Sequence, residues 1–270
     1  VSFPAPHVLL ITLNRPAQLN AIPITQHAEL DALYRWYDAE PHLRAAVLTG
    51  SGRAFCAGAD LKEWDSRHST TDPSSASQKR TQSHNTQRWT TSGFGGLSNR
   101  SGKKPVIAAV NGLCLGGGME MALNCDLVVA SASAARFGLP EVKRGVVALA
   151  GALPRVVRIV GRQRAAEMAL LGRMYTAEQM REWGVVNFVV EGDVVEGAVK
   201  VAEELAGNSP DAVIVSREGL RLGWEGVGPE LGTEILERGM YGRIDGGENM
   251  KEGVKSFVER RTAKWVDSKL

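Results

Sequence analysis

The sequence predicts an α/β core to about residue 195, followed by a helical carboxyl-terminal part. Three observations carry that expectation. Apolar runs near residues 8, 45 and 106 alternate with helical patterns in the first half. A triple glycine, Gly116-Gly117-Gly118, opens one of these helical patterns, and another apolar run follows it. Beyond Gly161 the reading becomes mostly helical.

Val8 to Leu13 reads as a six-residue strand that ends at the turn signal Asn14-Arg15-Pro16. Residues 24 to 37 have helical spacing, with Leu30, Leu33 and Trp36 or Tyr37 on one face. Ala45 to Thr49 is a second strand, closed by Gly50-Ser51-Gly52. Strand, helix and strand in that order imply parallel pairing through a right-handed crossover. Asp65 to Arg100 is crowded with Ser, Thr, Gln, Asn and His, and reads as a mobile excursion carrying one helix.

Val106 to Val110 returns to the core and Asn111-Gly112 turns out of it. The triple glycine then leads a helix to about Cys125, and Leu127 to Ala130 is the next strand. Helices are expected over Arg162 to Leu171 and Val194 to Ala206, and near 230–240 and 248–262. Thr176-Ala177-Glu178-Gln179 has capping-box spacing. Ser209-Pro210 starts a further helix with Pro in its tolerated first turn. The expected units are residues 1–195 and 196–270.

Of the 270 residues, 43% are hydrophobic and 23% charged, which excludes a disordered or collagen-like chain. No apolar run approaches the ~20 residues of a membrane span. The 32 basic and 30 acidic residues leave a net charge of +2, so nucleic acid is not an expected partner. Cys56, Cys114 and Cys125 form no CxxC pair and no His stands at zinc spacing, so neither a disulfide framework nor a metal site is expected. The five histidines are scattered and read as surface or core residues. No basic stretch leads into an apolar signal segment. Ser268-Lys269-Leu270 is the tripeptide read by the peroxisomal import receptor, which makes the peroxisome the expected location and the cytoplasm the alternative.

The densest chemical constellation is Gly116-Gly117-Gly118-Met119-Glu120. Glycines before a helix let a ligand approach the backbone and leave unpaired N–H groups pointing outward. The plainer alternative is a tight strand-to-helix turn. The glycine spacing is not that of a dinucleotide fingerprint, and no GxSxG elbow is present. Phe55 to Glu63 contains a second small-residue turn, Ala57-Gly58-Ala59, after the second strand. Two such turns can aim a pair of N–H donors at one oxygen, an oxyanion hole. Glu120 lies beside the first turn, and Glu141 follows Pro140 in an otherwise apolar stretch. Each reads singly as a helix-start or surface carboxylate, and together they can supply a base and an acid.

These residues resemble the crotonase, or enoyl-CoA hydratase/isomerase, superfamily. The resemblance begins at Leu13-Asn14-Arg15-Pro16 with Leu19-Asn20-Ala21 and continues through Ala54 to Glu63. It is strongest from Ala109-Val110-Asn111-Gly112 into Gly116 to Glu120, then Cys125-Asp126. Phe137 to Glu141 matches a second acidic motif, and Glu252-Gly253, Phe257 and Arg260-Arg261 match the carboxyl-terminal pattern.

The resemblance implies a crotonase-like spiral of ββα units with a helical trimerisation region, assembled as a homotrimer or a hexamer. It implies an acyl-CoA substrate and no cofactor beyond the coenzyme A that the substrate carries. By residue matching, the amides of Ala59 and Gly117 form the oxyanion hole, and Glu120 and Glu141 are the catalytic acids and bases. Ala21, Ala57, Asp60, Leu61 and Lys62 flank the CoA; Lys62 also reads as a solvated lysine, and Trp64 as lining the cleft or covering the core. Two glutamates favour a hydratase or dehydratase, a hydro-lyase. Double-bond isomerisation is the alternative within the family, and a non-catalytic scaffold or RNA-binding relative the alternative outside enzymology.

Two departures from the family pattern stand out. Glu120 and Glu141 are 21 residues apart, about one more than expected, with the extra residue assigned to the turn from Ser131 to Ala135. Val146 to Pro154 replaces a glycine-rich stretch beside the acyl group, which points to a branched or hydroxylated acyl-CoA of the methylglutaconyl, mevalonyl or carnitinyl type.

Overall fold

A computed structural model describes residues 1–60, 63 and 91–270. Within the excursion expected over Asp65 to Arg100, the positions up to 90 lie outside the described residues. So do Leu61, Lys62, Trp64, His68 and His84.

Two sheets form the core. The larger has the order β1-β2-β3-β5-β7-β10, from β1 (Ser2–Ala5), β2 (Val8–Leu13), β3 (Ala45–Gly50), β5 (Val106–Val110), β7 (Leu127–Ser131) and β10 (Phe188–Val190). Only β1 runs antiparallel to its neighbour. The smaller has the order β4-β6-β8-β9, from β4 (Ala54–Cys56), β6 (Leu113–Leu115), β8 (Arg136–Gly138) and β9 (Met174–Thr176). Its first three strands are parallel and β9 is antiparallel. Successive strands alternate between sheets, β3 then β4, β5 then β6, β7 then β8, so each turn of the chain adds one strand to each layer. This is the spiral expected from the family motifs.

The central strands β3, β5 and β7 of the large sheet are buried on both faces, which is why they read as unbroken apolar runs. Val8, Ala45, Val47, Ile107, Ala109 and Val129 face one way, against a helix at Val194–Ala206. That helix buries Val194, Ala198, Ala202 and Ala206, a stripe of small residues at a spacing of four that lets it lie close to the strands. The alternate residues, among them Leu9, Ile11, Ala46, Leu48, Ala108 and Val110, pack against Phe55, Cys56, Cys114, Met119 and Phe137.

The helices in chain order are α1 (Ile24–Ala39), α2 (Gly117–Ala122), α3 (Ala152–Val160), α4 (Arg162–Leu171), α5 (Ala177–Glu182), α6 (Val194–Ala206), α7 (Pro210–Trp224), α8 (Pro229–Leu236), α9 (Gly242–Ile244) and α10 (Glu248–Glu259). The capping box forms: Thr176 Oγ1 accepts from Gln179 N at 3.3 Å and Thr176 N donates to Gln179 Oε1 at 2.9 Å. Ser209 caps α7 ahead of Pro210. Pro41 holds Glu40 extended and so stops α1.

The buried face of α1 includes Tyr37, one of the two alternatives expected there, but is more polar than expected. It carries His27, Asp31, Tyr34 and Tyr37, whereas Leu30 and Leu33 are half-buried and Trp36 is exposed. The reason lies far away in sequence. Arg100 sits over the rings of Tyr34 and Tyr37 and pairs with Asp38 at 2.5 Å. Buried polar partners thus take the face that hydrophobicity alone would assign to leucines.

The helices after α6 are tied to the core by side chains. Arg217 of α7 pairs with Asp126 at 2.7 Å, and Asn249 of α10 donates to Asp211 at 2.7 Å. Ser268 Oγ bonds Asp211 at 2.5 Å and Lys269 pairs with Glu248 at 3.0 Å. Among the described residues no helix is long and apolar enough to cross a membrane.

Candidate active site

β4, β6 and β8 are parallel neighbours, so the turns that follow them emerge at one edge of the small sheet. Those turns are Ala57 to Asp60, Gly116 to Glu120 and Leu139 to Glu141. Three of the segments singled out from the sequence therefore meet.

The first turn is pinned by a parallel bridge between Ile22 and Ala59. Ile22 N donates to Gly58 O at 2.9 Å and Asp60 N to Ile22 O at 3.4 Å. Ile22 uses both of its backbone groups on residues flanking Ala59, which turns the N–H of Ala59 to the other side. Arg15 straps the same edge, bonding Ala21 O and pairing with Asp60 at 3.1 Å. Ala57 N donates to Leu19 O at 3.0 Å. Ala21, Ala57 and Asp60 are thus adjacent, while Leu61 and Lys62 lie outside the described residues.

The second turn is built on close approach. Gly117 is the first residue of α2, where the helix leaves its N–H without an intrahelical partner. A Cβ on Gly58 would lie 3.1 Å from Gly117 N, so the Ala59 and Gly117 amides belong to turns in contact. A Cβ on Gly117 would fall 2.5 Å from the ring of Phe94, and one on Gly118 would fall 2.2 Å from Cys56 O. Gly118→Ala is therefore expected to cost roughly 2–3 kcal/mol by forcing α2 off β4. The readout is the midpoint of denaturant unfolding, and an unchanged midpoint would show that the two elements are not locked.

Glu120, one turn into α2, is 4% exposed. Its Oε1 accepts from Ala150 N at 2.7 Å and from Ala152 N at 3.3 Å. Burial, with a further push from the charge of Glu141, raises its pKa from 4.5 to about 7 against the two amides and Arg155, which hold it down. Glu141 lies in a 3-10 turn, Pro140–Arg144, after β8. Its Oε1 is 3.2 Å from where a Cβ on Gly116 would stand, and its Oε2 is buried with no hydrogen-bond partner among the described residues. Burial raises its pKa as well.

Such an edge suits proton transfer beside a developing oxyanion. A carboxyl group with a pKa near 7 can both take and give a proton at neutral pH. A neighbouring carboxyl whose pKa burial also raises can share in that exchange, and paired amides can receive negative charge as it forms.

Sequence reasoning did not find the partners that hold this geometry. The amides of Ala150 and Ala152 come from the stretch noticed only as a departure, Val146 to Pro154. The signal available was Gly151 directly ahead of α3, with φ at +108°. Phe94 follows the excursion, and His27 was read as unremarkable. His27 Nδ1 accepts from Gly95 N at 2.8 Å, its ring meets Phe94 edge-on at 4.7 Å, and burial lowers its pKa to about 4, so it stays neutral.

Comparison with known proteins identifies the family. The family model described as enoyl-CoA hydratase/isomerase matches residues 5–268. The chain is 64% identical over 272 residues to the mevalonyl-coenzyme A hydratase of Beauveria bassiana (strain ARSEF 2860), covering 100% of this chain and 95% of that one. It is 49% identical over 271 residues to the protein of the same description from Aspergillus fumigatus, again with 100% and 95% covered. The crystal structure of enoyl-CoA hydratase from Mycobacterium tuberculosis H37Rv superposes with a TM-score of 0.84 at 32% identity, over 99% of this chain and 98% of that one. The chain belongs to the enoyl-CoA hydratase/isomerase family, within the crotonase superfamily, and is an enzyme of the hydro-lyase class.

Proposed function

We propose that this enzyme interconverts a 3-hydroxyacyl-CoA and its 2-enoyl-CoA on a branched, hydroxylated acyl group of the mevalonyl type. One observation carries the chemistry: the buried Glu120 and the half-buried Glu141, both with raised pKa values, stand at the strand edge from which the Ala59 and Gly117 turns emerge. The identity to mevalonyl-coenzyme A hydratases over the whole chain supports the substrate.

In the dehydrating direction, the Glu141 carboxylate takes a proton from Cα. The electron pair moves onto the thioester oxygen, which accepts hydrogen bonds from Ala59 N and Gly117 N. The enolate then collapses, the Cβ–O bond breaks, and Glu120 protonates the departing hydroxyl to give water. Hydration reverses each transfer, with Glu120 as base toward water and Glu141 as acid toward Cα. The amides act on charge that is larger in the transition state than in the ground state, and so they raise kcat. Ala21, Ala57, Asp60, Leu61 and Lys62 flank the CoA in this reading, with no cofactor besides it.

Assembly into trimers is part of the same proposal. Val254, Phe257 and Val258 form one apolar face of α10 and are 63%, 85% and 74% exposed, a surface that another copy of the chain would cover. Delivery to the peroxisome through Ser268-Lys269-Leu270 would require the receptor to release the contacts with Asp211 and Glu248. Import of a tagged protein that stops when the tripeptide is deleted is the test of that part.

The enzymatic reading is tested by incubating the protein with mevalonyl-CoA and following the thioester by mass spectrometry in water labelled with heavy oxygen. The expected result is reversible loss of one water and label exchange at Cβ, both abolished in Glu120→Gln. Migration of a double bond without label uptake would replace the hydratase with an isomerase. Absence of turnover on any acyl-CoA, with salt-sensitive RNA binding, would replace the enzyme with a binding protein.

A further inference from the structure

The stretch that holds Glu120 is itself held. Gly151 stands between Ala150 and Ala152, the two residues whose amides meet at Glu120 Oε1. Its φ of +108° turns both N–H groups the same way, the geometry of an anion nest. A Cβ on Gly151 would lie 2.1 Å from Arg155 Nη1 and 2.5 Å from Asn99 Oδ1. The guanidinium of Arg155 and the amide of Asn99 therefore lie directly over the glycine. Arg155 donates to Asn99 Oδ1 at 2.9 Å and to Gly151 O at 3.4 Å.

Arg155 stands one turn into α3, so it reaches back to the loop that starts its own helix. Asn99 belongs to the segment after Phe94, and its N donates to Ser92 O at 2.9 Å. The clasp thus joins the wall that packs on Gly117 to the nest that holds Glu120. The charges that Arg155 faces are Glu225 past the end of α7, Glu120 on α2 and Arg158 on its own helix. Those facing Glu120 are Glu141 and Arg155.

We propose that Arg155, clasped by Asn99 over Gly151, is a positioning residue for Glu120: it locks the Ala150 and Ala152 amides in place and sets a positive charge against the carboxylate. The inference rests on the acid/base role of Glu120 proposed above. Arg155 touches no reacting atom. A rigid nest keeps Oε1 occupied and leaves the other oxygen to exchange protons with the Cβ oxygen. The cation biases that carboxylate toward its ionised form, which hydration needs.

The test is hydration kinetics across pH for Arg155→Gln, Arg155→Lys and Asn99→Ala, using the acyl-CoA on which the unaltered enzyme is active. Arg155→Gln is expected to lower kcat about 10- to 100-fold with KM within about threefold, and to move the acid limb of kcat to higher pH. The limb moves up because loss of a facing cation raises the pKa of Glu120. Activity at pH 6 relative to pH 8 then falls by about threefold or more, a ratio independent of how much protein is correctly folded. Arg155→Lys keeps the charge and loses the fork, so it restores the limb while recovering only part of kcat. Asn99→Ala lowers kcat and leaves the limb in place.

An Arg155→Gln enzyme with unchanged kcat and an unchanged limb overturns the proposal. So does a kcat loss that follows folded fraction alone with the limb fixed. If Glu120→Gln is inactive while the Arg155 variants behave as the unaltered enzyme, only this inference falls. If Glu120→Gln stays active, the reading of the site falls with it.

Discussion

Glu120→Gln is expected to lower kcat for hydration by about 10³-fold, within the 10²–10⁴ range of a general base, while leaving the protein folded. The glutamine carbonyl can still accept from Ala150 N and Ala152 N, so the nest keeps its guest. Its amide nitrogen cannot take a proton from water. The variant should also gain stability. In the unaltered enzyme the folded-state pKa is raised from 4.5 to about 7, so the folded state holds the extra proton between those values. Stability that depends on this group is fully present below pH 4.5 and is lost as pH rises through 7. At pH 8 the ionised, buried carboxylate therefore destabilises the fold by roughly 3 kcal/mol, and glutamine removes that cost. Thermal unfolding at pH 5 and pH 8 beside single-turnover kinetics provides both readings. A variant that keeps a tenth of its activity would remove Glu120 from the mechanism. For the unaltered enzyme, the same pKa predicts that hydration falls away below about pH 7, as Glu120 becomes protonated.

Glu141→Gln should be nearly as damaging, about 10²–10³-fold in kcat, and for a different reason. Cα then has no proton donor or acceptor, so exchange of the Cα hydrogen of the 3-hydroxyacyl-CoA with solvent deuterium should slow by the same factor. Loss of the second carboxylate also removes a charge that raises the Glu120 pKa, so the acid limb of any residual activity should move to lower pH. That direction is opposite to the one expected for Arg155→Gln, and it separates the two variants without reference to rate. The double variant, Glu120→Gln with Glu141→Gln, is expected to fall little below the weaker single one, because two groups that act as a unit do not add. A normal rate of Cα exchange in Glu141→Gln would assign the proton to another group.

Much of the larger sheet is legible because of how it is buried. Val8 to Leu13 and Val106 to Val110 have the extents read from the sequence, since strands covered on both faces leave unbroken apolar runs. The helices that begin at Ala177 and Pro210 carry their own start signals, and those caps form. The three-residue strands β4, β6 and β8 leave no such trace, because so few residues cannot show a period. Yet these strands bring the site together. The polar residues on the buried face of α1 leave no sequence trace for a related reason, since Arg100, remote in sequence, rewards buried polar groups there.

The sequence by itself determined the order of the elements, the presence of two glutamates and two small-residue turns at family positions, and hence the kind of chemistry to look for. Only the tertiary structure decided that Glu120 rests on the amides of Ala150 and Ala152, with Arg155 behind them and Phe94 against Gly117. The physical reason is that non-proline residues carry the same backbone N–H, so no letter of the sequence says where it points. Its direction follows from φ, ψ and the packing of segments about 30 residues apart in the chain. The same burial that aims those amides also moves the carboxylate pKa, and both belong to the folded surroundings rather than to the glutamate itself.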